Sequence, residues 1–332
     1  MMQQLINDFP QQLKQAIAIG KNVQIGVGNV EIKNILVIGL GGSGAGANIV
    51  IQLLQKELTI PMLVNKDYDI PRFVNEHTLL IASSYSGNTE ETLSALQKAI
   101  KQNAQIVGIT TGGQLEQIAL QHDFPIVKVP SGMPPRAALG YSVVQQLYIL
   151  HQYHLITDFF EPQLQAAYDL LVEKQETLRL NAKRWSKFLW QQTLVIYTAT
   201  EYEALGLRWR QQLNENAKML CWHNVLPEMN HNELVGWREQ AADKAVIFVY
   251  PDDVFERTAY RFKIVQKMLI KPKQAFCTLE FKPKGNSMIE RYIYGIHFGD
   301  WLSFYLSQER GFDAREIEAI DFLKRSLSEM EV

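Results

Sequence analysis

The tightest constraint on how this chain can fold is one segment where an apolar strand runs directly into a polar turn and out into an amphipathic helix. Leu79 to Ala82 form an unbroken apolar run, the pattern of a strand covered on both faces. Ser84-Tyr85-Ser86-Gly87-Asn88-Thr89-Glu90-Glu91 follows, and then Leu93, Leu96 and Ile100 recur at helical spacing. Asn88 with Glu91 three residues later reads as a helix N-cap and its reciprocal acid. The hydroxyls of Ser84, Ser86 and Thr89 would then sit where free backbone N–H groups and the positive end of the helix dipole favour a phosphate-sized anion. Ser, Asn and Thr are also ordinary capping and turn residues, so the cluster admits a purely structural reading as well.

A second turn of this kind lies upstream. Gly39-Leu40-Gly41-Gly42-Ser43-Gly44 follows the apolar run Ile35 to Ile38 and precedes a helical pattern through Ala47, Ile49, Val50, Leu53 and Leu54. It satisfies the dinucleotide fingerprint formally, and Asp67, about 20 residues on, stands where a ribose-binding acid would. Ser43 adds a hydroxyl, however, and the 84–89 turn offers a second anion cradle at the end of another strand. Two such turns at the carboxyl ends of parallel strands suit a small phosphomonoester better than a dinucleotide.

Strand-like runs at 35–38, 61–64, 79–83, 105–109 and 126–129 alternate with helical stretches, which predicts a parallel sheet with right-handed crossovers. Ala137 to Leu150 reads as one helix and 162–189 as one or two more. A second alternating unit follows, with strands at 193–197, 245–250 and 275–281 and helices near 202–219, 254–270, 287–308 and 315–327. The expected division is an N-terminal lobe over 1–155, a helical connector over 156–190 and a C-terminal lobe over 191–332, with the active site in the crevice between the lobes.

At 332 residues the chain can hold two substantial cores. With 33 basic against 35 acidic residues, neither a nucleic-acid surface nor an acidic tail is indicated. The two cysteines, Cys221 and Cys277, lie in apolar surroundings and read as reduced core residues. The N-terminus lacks the basic start and apolar core of a signal peptide, and no 18-residue apolar run occurs, so a cytoplasmic protein without a membrane partner is expected.

GGSG followed by SYSGNTEET resembles the sugar isomerase (SIS) domain, a flavodoxin-like parallel sheet that binds phosphosugars. Three later segments point more narrowly: Asn214-Glu215-Asn216-Ala217-Lys218, Pro227-Glu228-Met229-Asn230-His231-Asn232-Glu233, and Gly236-Trp237. They are similar to the bifunctional phosphoglucose/phosphomannose isomerase family, from about residue 34 to the closing helix with Lys324. The resemblance implies an α/β fold of two SIS-type, flavodoxin-like lobes, each a mostly parallel sheet flanked by helices. It also implies that Gly42, Ser43, Ser84, Ser86 and Thr89 bind the substrate phosphate.

Glu215 read alone is a solvated glutamate, since it projects roughly 200° from Leu213 at 100° per residue and so faces away from the stripe of Leu205, Trp209 and Leu213. The flanking amides Asn214 and Asn216 can orient a carboxylate. By resemblance Glu215 is the base that moves a proton between C1 and C2 of an aldose and a ketose phosphate through an enediol. His231, able to donate near neutral pH, is implied to open the sugar ring, reaching the site from the neighbouring subunit of a homodimer. Arg136, after the Pro134-Pro135 turn, is implied to stabilise the enediolate oxygen, and Lys324 to assist ring opening. No metal or other cofactor is implied; His223, His231 and Glu233 lie close in sequence but match no standard zinc spacing.

Two other classes compete. A non-catalytic sugar-phosphate sensor would keep the hydroxyl turns but need not keep Glu215, His231 and Arg136 together. A nicotinamide-dependent oxidoreductase would use the glycine turn alone. An amidotransferase would need a glutaminase domain with an N-terminal cysteine nucleophile, and residues 1–30 supply none. Dual use of glucose and mannose phosphates turns on space near the closing helix: where dual-activity relatives carry a threonine about two turns before the lysine, this chain has Ile317.

Overall fold

The computed structural model describes residues 2–329 apart from 27, 29, 239–240 and 271–274. The chain forms two compact units, each discontinuous in sequence. One comprises 7–174 with 284–294, and the other 1–6, 175–283 and 295–332.

In the unit built mainly from the N-terminal half, β1 (Asn34–Ile38), β2 (Met62–Asn65), β3 (Thr78–Ser83), β4 (Gln105–Thr110) and β5 (Ile126–Lys128) form one sheet in the order β2-β1-β3-β4-β5. Every pairing is parallel, and Ile38 stands beside Ala82, so the two polar turns leave adjacent strands at the same edge. Strand order reverses at β1, the place where open α/β sheets bind ligands. All six residues of β3 are buried, which is why the run reads as continuous rather than alternating. Leu36, Ile38, Leu80 and Ala82 pack with Ala95, Leu96 and Ala99 of α4 (Glu90–Lys101) into one apolar cluster.

Helix α1 (Met2–Asn7) opens the chain and α5 (Gly113–His122) joins β4 to β5, while α2 (Phe9–Asn22), α3 (Gly41–Leu54) and α6 (Leu139–Gln152) pack together as a group. The helix expected from Ala137 is preceded by a separate 3₁₀ turn, Pro135–Ala138. The stretch 162–189 belongs to one helix, α7 (Phe160–Leu189), of 30 residues.

In the other unit β6 (Thr193–Ala199), β7 (Trp222–Leu226), β8 (Ala241–Val249) and β9 (Ala275–Phe281) form a second parallel sheet in the order β7-β6-β8-β9. Sequence periodicity predicts three of these strands and misses β7. It is an edge strand whose residues Trp222, His223 and Asn224 are only half-buried, so it lacks the apolar run that marks its neighbours. The core is aromatic: Phe281 stacks on Phe298 of α10 (Met288–Glu309), Trp209 of α8 (Glu203–Ala217) packs edge-on to Phe281, and the Trp209 indole donates to Gly295 O at 2.8 Å. α9 (Glu256–Ile270) and α11 (Glu318–Ser328) complete the unit. No described helix is long and apolar enough to cross a membrane.

Candidate active site

Four turns meet at the carboxyl end of the first sheet. Gly87 takes φ +68°, and a Cβ there would lie 1.8 Å from Gly112 O, so only glycine lets the 84–89 turn pack this closely on the turn after β4. Ser84 is buried, and its Oγ lies 3.0 Å from Thr89 Oγ1. Ser86 is exposed, and its Oγ accepts from Asn88 N at 3.2 Å. Helix α4 begins at Glu90 with Thr89 as N-cap and no side-chain capping bond, which overturns the predicted Asn88–Glu91 capping box. Asn88 is used elsewhere: its Oδ1 accepts from Gln114 N at 2.9 Å, joining this turn to the next one. The amides of the first turn of α4 thus lack a side-chain cap, beside three hydroxyls.

The glycine turn comes next. Ser43 is buried in the first turn of α3, and a Cβ on Gly42 would stand 2.8 Å from Pro135 O and 3.5 Å from Arg136 Cα. Gly42 is therefore what allows the Arg136 turn to close on the first turn. Tyr85 fastens the same loop from the other side: its hydroxyl donates to Pro130 O at 2.9 Å and accepts from Met133 N at 3.1 Å. Nothing in the sequence marks Tyr85 for this, because both partners lie more than forty residues away. Arg136 is buried, so its side chain does not range through solvent, and its backbone lies against the glycine turn.

The second unit holds the acid–base candidates. Glu215 lies in the last turn of α8 and is half-buried, not solvated. The helix buries more than its apolar stripe: Arg208, Gln212 and Asn216 form a polar row at four-residue spacing. Arg208 and Gln212 both donate to Asp300, at 3.0 and 2.8 Å, and Asn216 donates to Ser303 Oγ at 2.9 Å. Asn216 is thus bonded to α10, while Asn214 is exposed and accepts from the Cys221 thiol. Burial pushes that thiol up to about 12, against a smaller opposing pull from Arg210. Both cysteines are free and half-buried.

His231 ends a short 3₁₀ turn, Glu228–His231, and is exposed, with no side-chain hydrogen bond among the described residues. Two residues on, Glu233 accepts from Tyr197 and Trp222 on one oxygen and from Asn224 on the other, so this carboxylate is committed to three donors. His223 is held neutral to low pH: burial first, then Arg210, brings it down to about 4. Lys324 is exposed on α11, and Ile317 is that helix's half-buried N-cap.

Residues 30–155 match the family model for the SIS domain, and 179–327 match that of the bacterial phospho-glucose isomerase C-terminal SIS domain. The C-terminal domain of glucosamine-fructose-6-phosphate aminotransferase from Francisella tularensis shares the fold, with a TM-score of 0.74 at 16% identity over 95% of this chain and 98% of that one. Two parallel sheets with helices on their faces therefore define a protein of two SIS-type lobes. A bifunctional phosphoglucose/phosphomannose isomerase from Caldicellulosiruptor bescii is 35% identical over 98% of this chain and 98% of its own length. One from Thermoplasma acidophilum is 35% identical over 89% of this chain and 90% of its own. The chain belongs to the bifunctional phosphoglucose/phosphomannose isomerase family.

Proposed function

We propose that this chain interconverts glucose 6-phosphate, and also mannose 6-phosphate, with fructose 6-phosphate, as a cytoplasmic homodimer. The observation that carries the reading is the meeting of the Gly42–Ser43, Ser84–Thr89 and Arg136 turns at one sheet edge, in a family member that also keeps Glu215, His231 and Lys324.

In this reading Ser43, Ser84, Ser86 and Thr89 hold the phosphate. His231 gives a proton to the ring oxygen as the C1 hydroxyl loses its own, with Lys324 assisting, and the ring opens to the free aldehyde. The Glu215 carboxylate removes the C2 proton, electrons move onto O1, and Arg136 balances the charge of the resulting cis-enediolate. The O2 proton passes to O1, giving the enediolate its second arrangement, and the Glu215 carboxylic acid returns its proton to C1 as the O2 electrons form the C2 carbonyl of the ketose. Glucose and mannose phosphates share this enediol, so one base serves both when C1–C2 can present either face.

Ile317 favours a second reading, a glucose-only isomerase, because an isoleucine offers bulk and no hydrogen bond to a turning C1–C2 fragment. Chelator-treated protein assayed with each aldose phosphate, following fructose 6-phosphate, tests both. Activity lost in chelator and restored by zinc defeats the metal-free mechanism. A mannose 6-phosphate kcat/KM more than about a thousandfold below that of glucose 6-phosphate selects the glucose-only reading.

Exposed apolar residues on α11, Phe322 and Leu323 among them, and the solvent-facing His231 support the dimer with shared sites. Mixing inactive Glu215→Gln and His231→Ala subunits should restore activity in verified heterodimers; none recovered would remove the cross-subunit role of His231.

A further inference from the structure

Three donors from β6 and β7 converge on the Glu233 carboxylate, and a fourth, the Trp237 indole, reaches it through Tyr197. Glu233 Oε1 accepts from the Tyr197 hydroxyl at 2.5 Å and from the Trp222 indole at 2.7 Å, and Oε2 accepts from Asn224 Nδ2 at 2.6 Å. Tyr197, fully buried on β6, in turn accepts from the Trp237 indole at 2.7 Å. Tyr197 and Asn224 are register partners across β6 and β7. The sheet therefore grips the loop at Glu233 directly and at Trp237 through Tyr197, and these contacts bracket the 3₁₀ turn Glu233–Arg238.

His231 itself is exposed and has no side-chain partner among the described residues of its own chain. A histidine that must meet a sugar ring oxygen within hydrogen-bond distance needs its backbone fixed by something else. We infer that Glu233 is a positioning residue that fixes the His231 loop on the β6–β7 edge, so that the imidazole is presented in one geometry. The inference rests on the ring-opening role of His231 proposed above. A carboxylate suits the task because it accepts all three bonds without a donor of its own, whereas a glutamine would set its NH₂ against at least one of the three N–H or O–H groups.

The test is a double-mutant cycle in the full-length chain, using Glu233→Gln, His231→Ala and the two together, each checked for native circular dichroism and assayed with glucose 6-phosphate. Glu233→Gln should lower kcat about 10–100-fold with KM within about threefold, and the double variant should fall within about threefold of His231→Ala alone. A wild-type kcat in Glu233→Gln, or losses that multiply in the double variant, would show that Glu233 does not act through His231. Full activity in His231→Ala overturns the ring-opening reading and this inference with it. If Glu233→Gln does not fold, Tyr197→Phe takes its place in the same cycle, and multiplied losses there count against the inference equally.

Discussion

Lys218 folds back along its own helix so that its ammonium donates to the carbonyl of Glu215 at 2.9 Å. The same nitrogen donates to Asp313 O at 3.0 Å and Glu316 O at 2.7 Å. Lys218 is the left-handed C-cap of α8, with φ +53°. One side chain thus closes the end of the Glu215 helix and ties it to the 313–316 loop, satisfying carbonyls that the helix terminus would leave open. Lys218→Met keeps the stem and removes the donors. It should lower kcat at least tenfold with little change in KM and cost about 1–3 kcal/mol in urea unfolding.

Glu215→Gln preserves shape and removes the base. Turnover should drop by roughly 10²–10⁴ while KM stays within about threefold, since a glutamine cannot accept the C2 proton. Wild-type turnover in this variant would mean that another group carries the proton.

The hydroxyl turn offers a contrast between neighbours. Ser86 is exposed, so Ser86→Ala should leave the fold intact and weaken substrate binding by about 1.5–3 kcal/mol, the worth of a hydrogen bond to a charged phosphate. Ser84 is buried against Thr89, so Ser84→Ala should weaken binding and also lower stability by about 1 kcal/mol. Titration with inorganic phosphate and a urea curve for each variant separate the two effects.

Acid stability should report on His297. It is fully buried, its Nε2 accepts from the Trp301 indole at 3.2 Å, and burial drives its pKa from 6.5 down to about 3. Between those values the unfolded chain binds a proton that the folded one refuses, so the contribution of His297 to stability is present above pH 6.5 and is lost as pH falls through the window. Going from pH 7 to pH 5 should cost about 2 kcal/mol through this residue. His223, depressed for the same first reason but partly exposed, works in the same direction. His297→Gln keeps an acceptor for Trp301 and does not titrate. Its urea midpoint should depend less on pH than that of the wild type, and equal dependence would place the acid sensitivity elsewhere.

The two polar turns were legible as types and positions. The hydroxyls at 84, 86 and 89 and the glycine turn at 41–44 suit an anion from local pattern, whereas Arg136, Glu215, His231 and Lys324 take their roles only from the family resemblance. What those residues touch was not legible. Asn88 has the spacing of a cap, yet its amide bonds the next turn instead, because the turn after β4 lies beside it.

Sequence alone determined the alternation of strand and helix, the burial of β3 on both faces and the placing of polar turns at strand ends. Those features follow from side-chain periodicity and apolar runs, which are properties of contiguous residues. Tertiary structure alone decided that Trp222–Leu226 is a strand, that Lys218 clasps the end of the Glu215 helix and that Tyr197, Trp222, Asn224 and Glu233 share one hydrogen-bonded centre. Each of these depends on groups many residues apart meeting across a sheet edge or a loop. A half-buried edge strand gives periodicity little to detect, and the pairing of distant donors with a carboxylate is set by strand order, which no local pattern encodes.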